Sequence, residues 1–110
     1  MQKEKRVLNG KHLAWVRSRP CAALSLSCNG PIQAHHLLKP WVGSRGMSLK
    51  ADDRNVIPLC QHHHAELHTR HGSEKSFFNL HARSEEFAKL LAKELWNNSP
   101  SVSYTHLTLP

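Results

Sequence analysis

The stretch PLCQHHHAELH, from Pro58 to His68, constrains this chain more than any other: one cysteine and four histidines fall within eleven residues. From Gln61 to about His71 the pattern is helical, with Gly72 as a C-terminal stop. Counted from Cys60 at 100° per residue, His63 falls at about 300°, His64 at about 40° and His68 at about 80°. His64 and His68, at i and i+4, can grip one ion from one face, while Cys60 and His63 lie to the other side and can grip another. Leu67, at about 340°, sits between the pairs as a core residue, and His62, at about 200°, is the spare histidine on the surface.

Cys60 and His63 supply two ligands, and a structural zinc takes four, tetrahedrally, from Cys and His. Cys21 and Cys28 are the only other cysteines. Their C-x₆-C spacing is longer than the usual C-x₂₋₄-C, but soft thiolates favour zinc over magnesium. The alternative is a pair of loosely buried free thiols. An odd number of cysteines argues against a disulfide framework. The opening MQKEKR is charged with no apolar run behind it, so neither a signal peptide nor a membrane span is expected, and the chain reads as cytoplasmic.

A chain of 110 residues is one small domain. A core of that size is marginal, so a structural metal is a common supplement. The net charge of +7 is uneven: residues 1–58 carry ten Lys/Arg against three Asp/Glu, and residues 59–110 carry five of each. A polyanion, most simply nucleic acid, is the natural partner of such a first half; the alternative is a solvated basic face.

The expected organisation is a basic N-terminal segment (1–19), a domain with a C-terminal helix (20–98) and a tail (99–110). In the first, Val7, Leu8, Leu13, Trp15 and Val16 form a strand or pack against the core. Ile32 to Leu38 and NVIPLC are candidate strands, joined by a long Gly/Ser/charged connection. SEKSFFNL suggests a short helix from Ser73. Ser84 is a good N-cap for the next, with Glu85 and Glu86 in its first turn, and Phe87, Leu91 and Leu95 at i, i+4, i+8 with Leu90 on the adjacent edge. Lys89 and Lys93 lie on its outside. The closing SVSYTHLTLP resembles a translated cloning scar and is set aside from fold reasoning, the alternative being an ordinary C-terminal strand; His106 is given no role.

Over residues 20–72 the order is HH at 35–36, GMSLKADDRN at 46–55, PLC at 58–60, HH at 63–64 and LH at 67–68. This arrangement resembles the HNH endonucleases of the ββα-metal (His-Me finger) fold in their zinc-stapled, phage-type form, among them the recombination-enhancement nucleases. The resemblance implies an α+β fold with a structural zinc on Cys21, Cys28, Cys60 and His63. It implies a phage or prophage protein that hydrolyses DNA phosphodiester bonds. His36 would be the general base, and Asn55 the residue whose amide braces the loop and the base. His35, His64 and His68 would ligate a catalytic ion. Adjacent strand residues face opposite ways, so His35 and His36 reach one site only if the strand end is irregular.

These residue types suit the reaction. A neutral imidazole can take a proton from water near neutral pH, and a divalent ion stabilises charge on the phosphoryl and leaving oxygens. Magnesium or manganese is expected, although an all-histidine shell is unusual for magnesium, and nickel, cobalt and zinc stay open. Arg45, Lys50 and Arg54 in the long connection are candidate phosphate contacts, or ordinary surface charges. The second reading is a zinc-containing nucleic-acid-binding module that does not cut, and a third is a metal-storage or sensor protein.

Overall fold

Two apolar runs make the sheet. Ile32–His36 (β1) and Val56–Cys60 (β2) pair antiparallel, with Ile32 opposite Cys60 and His36 opposite Val56. This computed structural model describes residues 7–23, 25–43, 51–71, 74–80 and 84–102. All of β2 is buried, as a short continuous apolar run implies. Pro58 has no N–H for the ladder; its carbonyl accepts the Ala22 N–H at 2.8 Å, tying the turn that carries Cys21 to the strand. Between the strands, Asp53–Asn55 forms one 3₁₀ turn capped by Asp52.

The N-terminal segment holds a helix where the sequence left strand or irregular packing open. Gly10–Val16 (α1) is capped by Asn9, whose side chain accepts the His12 N–H at 3.0 Å. His12 and Val16, one turn apart, are fully buried. His12 lies against Trp15 and edge-on to Trp96, ring centroids 6.0 and 4.9 Å away. Burial lowers its pKa, with Asp53 opposing, and neither ring nitrogen has a partner among the described residues. It packs as a neutral aromatic ring. Residues 7–9 are also tied to the 3₁₀ turn: Val7 N donates to Asp52, Asp53 N to the Val7 carbonyl, and Asn9 N to Asp53. Residues 7–19 therefore pack into the same body as the strands.

Gln61–Glu66 (α2) starts where β2 stops. Cys60 is both the last strand residue and the N-cap, its sulfur accepting the His63 N–H. The expected single helix to His71 widens into a π-helical turn at Leu67–His71, a distortion that recurs at functional sites. Glu74–Leu80 (α3) follows, bringing Phe77 and Phe78 into the core. Glu85–Asn98 (α4) is capped by Ser84, whose hydroxyl accepts the Phe87 N–H at 3.0 Å.

The core joins Leu37, Ile57, Leu59, Leu67, Phe77 and Phe78 to Ala88 and Ala92 of α4. The buried face of α4 is thus the two alanines, with Leu91 at its margin; Leu90, expected on the apolar edge, is 60% exposed. Leu90 lies off this buried face. Past α4, Ser99 is buried and residues 100–102 make a helical turn rather than a strand; residues 103–110, with His106, lie outside the described residues. The chain is a small α+β protein, and no described helix is long and apolar enough to cross a membrane.

Candidate metal centres

The strand-to-helix junction builds the first centre. Cys60 ends β2 and His63 occupies the first turn of α2, so C-x₂-H spans a cap. Cys21 and Cys28 come from the turns before β1. The Sγ atoms of Cys21 and Cys28 each lie 3.6 Å from His63 Nδ1, and Cys60 Sγ lies 3.1 Å from it. All four ligand atoms fall within 4.8 Å of one another, a set that can hold a metal ion. A tetrahedral site with Zn–S of about 2.3 Å and Zn–N of about 2.0–2.1 Å has S···N edges of about 3.6 Å, so Cys21 and Cys28 already stand at that edge from His63, and Cys60, at 3.1 Å, has only to move slightly outward.

The surroundings suit ligation. Burial works against ionisation of Cys60, but the N–H groups of His63 and Asn29, each 3.4 Å from its sulfur, help hold its pKa below that of an ordinary thiol. Burial pushes the Cys21 thiol up to about 11, a cost that a bound cation reverses. His63 Nε2 faces the hydroxyls of Ser25 and Ser27, both at 3.2 Å. With Nδ1 given to a metal, Nε2 carries the hydrogen and donates to them, which fixes the ring. The loop at Cys28 docks on α2 through Gln61 N to the Pro31 carbonyl and His62 N to the Asn29 carbonyl. Gly30 makes this possible: its φ is +85°, and a Cβ there would sit 2.6 Å from Gln61 Cβ.

The next residue on α2 opens the second centre. His64 turns away from the cysteines toward His68, their Nε2 atoms 3.1 Å apart. Two nitrogens on one ion at about 2.1 Å stand about 3.0 Å apart at a right angle and about 3.4 Å at the tetrahedral angle, so the pair is spaced for one cation. His35 completes a group of three within 4.8 Å. Burial, then the neighbouring His35 and His68, push the His64 pKa down to about 4, so it is a neutral ligand at neutral pH. The outer nitrogens are held: His64 Nδ1 pairs with the Gln33 side-chain oxygen, and His35 Nε2 with Glu74 Oε2 at 2.7 Å. Glu74 is buried and also accepts the Leu38 N–H at 3.0 Å. It forms the carboxylate–imidazole support that metal-ligating histidines commonly have.

His36 lies in the same place by a different route. Ala34, His35, His36, Leu38, His64 and His68 line one cavity of about 230 Å³. His36 is the last strand residue, still paired with Val56, and its side chain takes a different partner from that of His35. Its Nε2 lies 2.9 Å from Asp53 Oδ1. Asn55 is fully buried; its oxygen accepts the Trp41 and Val42 N–H groups, and its amide donates to the Val42 carbonyl and to Asp52. It braces the connection after β1. Arg54 sets its Nε and Nη2 on Asp52, the shortest contact being 2.6 Å. Arg45 and Lys50 lie outside the described residues. His62 is 48% exposed, 3.8 Å from Glu66.

Sequence reasoning missed Asp53, Glu74, Gln33 and the two serines. Each stands 17 to 39 positions from the histidine it holds. Only the acidic start of the SEKSFFNL helix hinted at Glu74, and nothing linked it to His35.

No solved structure matches the chain. Uncharacterized protein YdfU of Escherichia coli (strain K12) is 41% identical over 69 residues, which is 63% of this chain. The chain spans only 18% of that relative's length. The family described as "Protein of unknown function (DUF968)" matches residues 1–89, the stretch that carries both clusters, and the chain belongs to that family.

Proposed function

We propose that this chain is a metal-dependent HNH-type endonuclease with the ββα-metal fold, of phage or prophage type, hydrolysing DNA phosphodiester bonds. The observation that carries the reading is the convergence of His35, His64 and His68 in a cavity that His36 also lines. Three imidazoles from a strand end and a helix form an open half-shell, and a fourth stands beside them outside the group. A storage or sensor protein has no use for that fourth group. The order β1, β2, α2 and the basic first half agree with the reading. The Cys21, Cys28, Cys60 and His63 set is then a structural zinc, closed by four protein donors.

The chemistry follows from the side chains. His36 takes the proton from the attacking water, a role that contributes about 10²–10⁴-fold. His35, His64 and His68 would hold a divalent ion, magnesium or manganese first among candidates, which would supply positive charge to the phosphoryl and leaving oxygens. Gln33 and Glu74 keep two of those rings turned inward. Asn55 fixes the start of the connection at Trp41 and Val42, Arg45 and Lys50 are the proposed phosphate contacts, and Arg54, expected to be a third, is instead paired with Asp52. Reducing cytoplasm keeps the three thiols available as ligands.

The test is incubation of zinc-loaded full-length protein with supercoiled plasmid, with magnesium, manganese, nickel or cobalt, and with excess EDTA. Nicking or linearisation that requires an added ion is expected. Undiminished cleavage in EDTA, or none in any of the four ions, rejects the nuclease. Retained DNA binding without cleavage would instead favour the non-cutting zinc module.

A further inference from the structure

We infer that Asp53 is a positioning residue that sets the tautomer and direction of the His36 ring. The inference rests on the proposed role of His36 for its effect on turnover, but not for its geometry. Asp53 Oδ1 lies 2.9 Å from His36 Nε2, with the two side chains only 9% and 19% exposed. The carboxylate is itself fixed. Its Oδ2 accepts the Asn9 N–H at 2.8 Å, and the Asp53 backbone N–H donates to the Val7 carbonyl at 3.0 Å. The neighbouring Asp52 is engaged by Arg54 and Asn55. Asn55, which the HNH resemblance puts in the bracing role, directs its amide to Trp41, Val42 and Asp52. Asp53 is thus the side chain that holds His36.

An ionised carboxylate only accepts hydrogen bonds. Facing Asp53, His36 Nε2 must carry the hydrogen, which leaves the lone pair on Nδ1. Among the described residues Nδ1 has no hydrogen-bond partner, so it is the atom available to take a proton from water. The same logic governs a histidine held by a buried aspartate in hydrolytic triads. Here the N-terminal segment completes the arrangement: outside the strand–strand–helix unit, the Asn9 N–H holds the carboxylate and the Val7 carbonyl holds the Asp53 backbone.

Asp53→Asn makes a specific demand on this geometry. The Asn9 N–H still needs an acceptor, so the amide oxygen stays there and the amide NH₂ faces His36. Nε2 must then accept, and the hydrogen moves to Nδ1. The experiment is ¹⁵N imidazole spectroscopy on zinc-loaded wild-type and Asp53→Asn protein at mildly alkaline pH, with His36→Ala to assign the ring, alongside plasmid kinetics. Wild type is expected as the Nε2–H tautomer and the variant as Nδ1–H. Turnover should fall roughly a hundredfold or more, while KM stays within about threefold, as for a group acting only in the transition state. An Nδ1–H ring in the wild type overturns the inference without any variant. So does an unchanged tautomer in a zinc-loaded, folded Asp53→Asn protein, or an unchanged turnover. If the wild type cuts nothing but the tautomers differ as stated, the positioning stands and the nuclease reading falls.

Discussion

His63 and His64 are neighbours on one helix, yet they serve two centres of opposite character. His63 is fully buried and meets Cys21, Cys28 and Cys60, of which only Cys28 is exposed. His64 is half-buried and meets buried His35 and exposed His68 on the wall of a cavity. The first centre offers four protein donors, a full tetrahedral set. The second has three and open space beside it. Closed coordination suits a structural ion, and an open position suits one that meets substrate. On the proposed reading one turn of helix divides stability from chemistry, and each side can be attacked separately.

The largest expected effect is on the closed side. Cys60→Ser removes a ligand and the sulfur cap of α2 together. A structural zinc contributes on the order of 10 kcal/mol to folding, more than a core of this size can replace. The variant should lose bound zinc and its cooperative thermal transition, read by elemental analysis and circular dichroism. By contrast His64→Ala should keep both. A Cys60→Ser protein that melts like wild type would erase the division.

Next comes His36→Ala. Turnover should drop about 10²–10⁴-fold, with zinc content, melting and DNA affinity retained, since the ring holds neither the core nor the closed centre. Loss of zinc in this variant would mean that the two centres are not separable.

Glu74→Gln is a smaller and sharper probe. The amide can turn its NH₂ toward His35 and weaken the support of that ring, so ion affinity at the open centre should fall about 10–100-fold. Calorimetric titration with manganese on zinc-loaded protein measures it. No change would mean that Glu74 serves only Leu38 and the start of α3.

His62→Ala should do least. Its ring is half exposed and lies a long 3.8 Å from buried Glu66; with His63 and Glu66 it makes a third group that could hold an ion, but it belongs to neither the four-donor set nor the three-histidine set. Activity and zinc content should match wild type, and a dead His62→Ala protein would redraw the whole cluster.

Much of this arrangement was legible because it is local. The helical period alone separates His63 from His64 and His68, and puts His62 outside and Leu67 between. The strands Val56–Cys60 and Ile32–His36 were readable as apolar runs, and Ser84 as a cap. What escaped was decided by packing at a distance. The Asn9-Gly10 cap could have signalled α1, but His12 reads as a buried helix residue only once Trp96 is known to stand against it. Leu90 stands beside the Phe87, Leu91 and Leu95 stripe by helical period, whereas packing buries Ala88 and Ala92 of the same helix.

The sequence by itself determined which atoms can bind metal and how they divide around one helix, because a 3.6-residue period is a property of the backbone alone. Only the tertiary structure decided that Cys21 and Cys28 close on Cys60 and His63, that β1 ends at His36 beside the cavity, and that Glu74 and Asp53 stand behind His35 and His36. Those contacts form between segments far apart in the chain. Their geometry depends on how the sheet, α1 and α3 pack together, and no local period encodes that.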